Sequence, residues 1–485
     1  MGETAKKKVD YLNIFHTAVV LFFLFGFGQL PAVEPITPIG MKVIGIFIGM
    51  IYGWSTVGLV WPSLLGLLAL AFSGYMPLKT IWANSFGNDN VVQFIFIFVF
   101  AGAVEAHGVT KFIAFWMLTR KFVEGKPWMF TFIYLLAIGV LAALTSSSPA
   151  IILGWSILYS IFGAVGYKKG DKYVAFMIFG TIMAAQSGMA IVPFKSAPLA
   201  IVGAFEGIAG YKIDYLSYMA FMIITFCLVL LTLVAIGKYV LRLDVSALQN
   251  MKREDIIEDE SVLKLNATQK VVFGLLIALV TFMILPSVLP KEMFLAQVLN
   301  SLGATGVAVV IVVLMCIVRM GGKPLMNFQP IAAQNISWGV LLLLASVMVI
   351  SGCLSKADVG FVAWLKLMLT PVFGDSSPVF FVVMLVIVAV IFTNFCNNAA
   401  TAIALMPIVL AFASALGISE SLVAVVVTFS VMLAFLTPAA SPSAALLHGN
   451  EWISKKDIYL MGFIAIGASV LVVLLVTFTI GNMLF

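Results

Sequence analysis

Apolar runs of membrane-spanning length recur along this chain from Tyr11 to Leu484, and that recurrence decides its fold class. A spanning helix needs about 20 mostly apolar residues. Inside hydrocarbon no backbone amide can stay unpaired, so such runs fold as helices. Only 10% of the 485 residues are charged and 62% are hydrophobic, too little charge for the surface of a soluble protein of this length. The expected fold is an all-α polytopic membrane protein.

The same residues exclude other classes. The net charge of +6 is modest and reads as a topology signal, not as a nucleic-acid surface. Cys227, Cys316, Cys353 and Cys396 lie in apolar context without paired spacing, and His16, His107 and His448 form no ligand cluster, so neither a disulfide frame nor a metal centre is expected. No phosphate-binding Gly-rich loop is present, and no organic cofactor is expected. A membrane enzyme would need a nucleophile–base or metal set, and the sequence offers none. The first apolar run is longer than a signal-peptide core and lacks a cleavage site, so it reads as the first span.

Taken in order, residues 1–72 hold three spans preceded by Lys6, Lys7 and Lys8. Basic flanks stay in the cytoplasm, which places the N-terminus there. Residues 88–241 form the next unit. Within it 130–165 is too long for one span, is broken at Thr145-Ser146-Ser147-Ser148-Pro149, and has basic flanks at both ends. It reads as a re-entrant hairpin entering from inside. The span 173–205 is interrupted at Gln186-Ser187-Gly188 and again at 193–198. Residues 242–270 read as a cytoplasmic linker, and 271–485 as the second half.

That second half repeats the first. Gly102-Ala103-Val104 returns as Gly352-Cys353-Leu354, an offset of 250 residues, and the same offset lays Ser147-Ser148 on Asn397-Asn398 and Ser187-Gly188 on Thr437-Pro438. The hairpin 378–416 has no Lys or Arg at either flank, so it enters from outside. A broken span at 421–447 and a last span at 459–484 follow, which puts the C-terminus outside. Two repeats of opposite topology, about 11 spans in all and two opposed hairpins are the anatomy of a secondary transporter. Thr393, Asn394, Asn397, Asn398 and Thr401 crowd the second hairpin tip. Neutral hydroxyl and amide groups at helix breaks suit the oxygens of an anion, and their oxygens suit sodium.

These tips resemble those of the divalent anion/sodium symporters, carriers of dicarboxylates, citrate or sulfate. Thr393, Asn397, Asn398 and Thr401 running into Met406-Pro407 look like that family's second tip, and Ala440-Ser441-Pro442 looks like its second turn. The resemblance implies substrate contacts from Ser146, Ser147, Ser148, Lys195, Ser196, Asn397, Asn398, Ser441 and Pro442. It implies a sodium site of Thr393, Asn398 and the carbonyls of Cys396 and Ala440. It also implies an elevator motion against a homodimeric scaffold embedded in lipid. The chain departs from the family pattern in three places. Ala399 lacks the motif's hydroxyl, the first tip has no Asn, and Phe194-Lys195-Ser196 stands where the family has Gly-Thr-Pro. The first tip aligns either as Ser147-Ser148-Pro149 by the repeat offset or as Ser146-Ser147-Ser148 by downstream spacing.

The leading expectation is a sodium-coupled carrier of small di- or tricarboxylates. A sodium-independent exchanger, with Lys195 replacing one sodium ion and its amine donating to the Ser146–Ser148 hydroxyls, is the alternative. A sulfate carrier or a channel is a weaker reading. Lys195 could instead snorkel to an interface, and Glu206 reads as a loop residue.

Overall fold

The computed structural model describes residues 11–121, 123–250, 263–290, 292–438 and 440–485. Lys6, Lys7, Lys8 and the middle of the expected 242–270 linker lie outside the described residues.

Among the described residues the chain is mostly helical, and polar residues punctuate its helices. The opening helices are α1 (Tyr11–Leu21, continued by tighter and wider turns to Gln29), α2 (Pro38–Thr56), α3 (Val60–Phe72) and α4 (Leu78–Ser85). They lead into α5 (Asp89–Ala106) and α6 (Val109–Leu118). The first hairpin is α7 (Pro127–Leu144) with α8 (Ser147–Val165), and the broken span is α9 (Lys172–Met189) with α10 (Ser196–Ala209). Then come α11 (Tyr215–Ala235), α12 (Ala267–Val288), α13 (Phe294–Ile317), a two-residue ribbon of β1 (Arg319–Met320) with β2 (Lys323–Pro324), α14 (Phe328–Asn335) and α15 (Trp338–Leu354). The last are α16 (Phe361–Phe373), α17 (Pro378–Thr393), α18 (Asn398–Phe412), α19 (Glu420–Ser430), α20 (Pro442–His448) and α21 (Lys455–Val476, continued to Leu484). Among the described residues nine helices are long and apolar enough to span a membrane, or eleven if two bent pairs each count as one. Several helix starts are capped by a side chain: Thr37 accepts from the Gly40 amide, Asp214 from Ser217, Ser377 from Phe380 and Ser454 from Asp457.

The internal repeat reaches further back than the sequence match. α4 and α14 fall 250 residues apart. The register then drifts, because α20 starts 246 residues after α10 rather than 250. Lys195 therefore corresponds to Ser441, each being the extended residue that opens its half-helix. The expected interruption at Gln186-Ser187-Gly188 is a correction: α9 runs unbroken to Met189. Gly188 is there because α9 meets α7 backbone to backbone; a Cβ on it would lie 2.4 Å from the Gly139 Cα. The helix ends only before Pro193, which has no N–H to continue it. Glu206 is likewise in α10 and not in a loop.

Contacts between loops show to which face each hairpin opens. On one face Lys169 pairs with Glu451 and Lys172 with Asp457, both at 2.7 Å, and the Tyr167 hydroxyl donates to the Asp244 carbonyl at 3.1 Å. Gly125, just before α7, lies against the Gln249 carbonyl. The start of α7 and the end of α8 thus share this face. On the other face Tyr211 donates to Glu420 at 3.0 Å, Ser287 to Asp214 at 2.7 Å, and Lys212 pairs with Asp89 at 3.3 Å. Ser414, after α18, donates to Glu420, and the Phe381 ring near the start of α17 lies 6.3 Å from that of Phe412 at the end of α18. The second hairpin opens there, opposite to the first.

Candidate substrate and cation site

The first tip is short. Thr145 leaves the helix and Ser146 is fully extended (φ −159°, ψ 168°), with α8 starting at Ser147. Of the two sequence alignments this helix start matches Ser146-Ser147-Ser148, with Ser146 opposite Asn397, the residue that opens α18. Ser146 makes no capping bond, so the Ser147 and Ser148 amides that open this 19-residue helix have no side-chain partner, and Pro149 has no N–H to offer. Free N–H groups at a helix start, with the positive end of its dipole, favour an anion.

Lys195 opens α10 in the same way, extended and without a capping bond. Ser196 beside it takes φ +53°, the left-handed region that non-glycine residues avoid, at a cost on the order of 1 kcal/mol. The Lys195 side chain is buried, 4% exposed, and its Nζ donates to the Leu144 carbonyl at 2.5 Å. It neither snorkels nor bonds the Ser146–Ser148 hydroxyls. The reason is local: the last carbonyls of α7 have no intrahelical donor and sit at the negative end of its dipole. An ammonium meets that orphan acceptor first.

The second tip is built differently. Asn397 caps its own helix, its Oδ1 accepting from Ala399 at 3.0 Å and Ala400 at 3.2 Å. Thr393 Oγ1 lies 2.7 Å from the Val431 carbonyl and 3.2 Å from Asn398 Oδ1. Three oxygens therefore converge where sodium was expected, with Val431 an unexpected member. Cys396 precedes the cap and Ala440 lies in the unwound stretch after α19; no hydrogen bond joins either to the Thr393–Asn398 pair.

Asn394 carries no expected role, yet it holds this geometry. Its Nδ2 donates to the Val390 and Leu433 carbonyls, its Oδ1 accepts from the Phe435 and Leu436 amides, and its carbonyl accepts from Thr437. The unwound stretch between α19 and α20 thereby finds partners that a helix would have supplied. One turn beyond Asn398, the Thr401 hydroxyl is buried with no partner.

Ser441 is fully committed. A hydroxyl has one proton and two lone pairs. Here the proton goes to the Ala434 carbonyl, while the lone pairs accept from Gln186 Nε2 and the Ala444 amide, all at 3.0 Å. Its neighbour Ser443, 1% exposed, donates to Ser147 Oγ at 3.0 Å and so joins the two repeats directly. Gln186 and Ser443 inside apolar helices, and Asn394 just past the end of α17, are polar residues in apolar context, a signal the sequence carried. The Val431 carbonyl gave none.

An open groove of about 600 Å³ runs along the face of α8 that carries Ile152, Trp155, Ser156, Tyr159 and Ser160, against Leu446 of α20. The hairpin beside it is pinned. Trp155 donates to the Ile178 carbonyl, Asn450 donates to the Tyr159 hydroxyl at 2.8 Å, and the Tyr159 and Trp452 rings stack at 5.0 Å. At the rim Lys169 holds the exposed Glu451 carboxyl below its usual range.

Residues 11–485 match the sequence profile described as the sodium:sulfate symporter transmembrane region. An uncharacterised transporter of Methanocaldococcus jannaschii is 25% identical over 75% of this chain and 76% of its own length. The sodium-dependent dicarboxylate transporter SdcS of Staphylococcus saprophyticus is 23% identical over 90% and 86%. The crystal structure of the YdaH transporter of Alcanivorax borkumensis superposes with a TM-score of 0.59 at 16% identity, covering 97% of this chain and 99% of that one.

Proposed function

The chain belongs to the sodium:sulfate symporter family and is a multi-pass membrane transporter, and from that premise we propose that it carries small divalent anions, di- or tricarboxylates first, by alternating access. The observation that carries the reading is the uneven capping of the four half-helices. α18 and α20 are closed by their own Asn397 and Ser441, while α8 and α10 start uncapped beside the Ser146–Ser148 hydroxyls and Lys195. In this reading the anion takes its donors mainly from the first repeat, with Ser196 and the Asn397 amide reaching it from either side and Pro442 shaping the wall. Ser441 supports that wall rather than donating.

Lys195 stands in for one sodium ion. Unwound carbonyls at a half-helix C-terminus are what a coupling cation binds in such folds, and the Leu144 carbonyl already has an ammonium. The oxygens of Thr393, Asn398 and Val431 remain for a second cation, with the Cys396 and Ala440 carbonyls completing it. Sodium coupling at that one site is the first reading. Exchange without sodium is the second, favoured by the Lys195 amine already seated on the Leu144 carbonyl.

Lys168, Lys169, Lys172, Lys455 and Lys456 gather on the face to which the first hairpin opens. By the positive-inside rule that face is cytoplasmic, with the N-terminus inside and the C-terminus outside. The pinning of that hairpin to α9 and to the α20–α21 turn supports movement of the site as one body, as in an elevator working against a homodimeric scaffold. Uptake of radiolabelled succinate, citrate or sulfate into proteoliposomes, with and without a sodium gradient, tests the reading. Flux that never saturates for any of the three contradicts it.

A further inference from the structure

We propose that Ser443 is a positioning residue that turns the Ser147 hydroxyl into a committed donor toward the transported anion; this rests on the reading of the first tip as the anion site. Ser443 lies in the first turn of α20, a different repeat from Ser147, and is too buried to touch a substrate itself. Its hydroxyl donates to Ser147 Oγ at 3.0 Å.

A serine hydroxyl has one proton. With a lone pair of Ser147 already filled by Ser443, the Ser147 proton must go elsewhere, and among the described residues no protein group accepts it. It is left for the ligand. Ser147 is also the first residue of the uncapped helix α8, so its proton and the free amides of that turn serve one oxygen cluster. A chain of two hydroxyls polarises, which makes the terminal proton a better donor.

The contrast with Ser441 carries the argument. Two serines two residues apart spend their protons differently. Ser441 accepts twice and spends its proton on the Ala434 carbonyl. Ser443 spends its own on the opposite repeat. The second repeat therefore contributes no Ser441 proton to the anion but sets the direction of one belonging to the first. It also makes the donor array depend on both repeats staying in contact.

Binding is read as thermal stabilisation of the purified full-length protein by succinate, citrate and sulfate, and transport as uptake of the best of them. Ser443→Ala should raise KM about five- to twentyfold with kcat within about twofold, since one charge-assisted bond is disordered rather than removed. Ser443→Thr should restore wild-type KM. Ser147→Ala should cost more, and Ser147→Ala with Ser443→Ala no more than Ser147→Ala alone, because the second hydroxyl acts through the first. Additive costs in the double variant, or an unchanged KM in a folded Ser443→Ala protein whose Ser147→Ala partner is impaired, would overturn the proposal and leave the anion site standing. Should Ser443→Ala fail to fold, Ser443→Cys, which keeps the shape with a weaker donor, must show the same rise in KM. Wild-type protein stabilised by none of the three anions would instead sink the site reading itself.

Discussion

The Lys195 amine donates to the carbonyl of Leu144, 51 residues earlier and in the other arm of the site, at 2.5 Å. That bond joins the opening of α10 to the close of α7 and seats a lysine amine where two half-helices meet. A lone charge at membrane depth costs roughly 2.5–3.5 kcal/mol or more, and the orphan Leu144 carbonyl offsets part of that cost; in the proposed reading the arriving anion offsets the rest.

Removing that amine should be costly for binding. Lys195→Ala and Lys195→Met are expected to weaken anion binding about 10- to 100-fold, the worth of one or two charge-assisted bonds. Isothermal titration or thermal stabilisation by the transported anion reads this directly. Lys195→Arg should not rescue, because the larger planar guanidinium cannot take the place of a compact ammonium in a closed site.

The cation site should respond to its own oxygens. Asn398→Ala should lose both anion binding and sodium dependence, and Thr393→Val should lose sodium dependence first, since it removes one of three converging oxygens. Uptake measured across a sodium titration checks both. Normal sodium-dependent transport by Asn398→Ala would show that the oxygens serve packing alone.

Asn394 should matter for stability more than any residue of the site. Asn394→Ala strands the Leu433 carbonyl and the Phe435 and Leu436 amides, and each buried polar group left unpaired costs about 1–3 kcal/mol. A fall in unfolding temperature in detergent, not repaired by added anion, is the expected result. Gly188→Ala should destabilise as well, by about 1–3 kcal/mol, because its Cβ has no room against Gly139.

Topology offers an independent check. Cysteines replacing Lys169 and Lys455 should react with an impermeant reagent from the cytoplasmic side, and those replacing Ser376 and Ser419 from the outside. Equal labelling of Lys169→Cys and Ser419→Cys from one side would rule out opposed hairpins.

Much of this was legible in the sequence, and the reasons are physical. Apolar length fixes membrane helices, and a serine run or an asparagine cluster inside such a run marks where a helix breaks. What escaped depended on partners distant in sequence. Gln186 and Gly188 look like a break but sit inside α9, because Gly188 is required by the approach of Gly139 and the amide of Gln186 by Ser441. The constant offset of 250 fails at the second turn, because α20 starts four residues early relative to α10, whereas the turn motifs themselves already set Lys195 against Ser441. Lys195 itself was visible as a charge in a broken span; its choice of a carbonyl over three hydroxyls follows only from where α7 ends.

The central claim is that Lys195 replaces one coupling cation. Its most direct test is the anion uptake rate of wild-type and Lys195→Ala protein in proteoliposomes, measured against sodium concentration with potassium as the replacement ion. The account predicts saturable wild-type uptake with a sodium dependence no steeper than that of a single site, and a Lys195→Ala protein that stays impaired at every sodium concentration. Wild-type affinity and rate in the Lys195→Ala protein, or a wild-type sodium dependence that requires two or more ions, would contradict it.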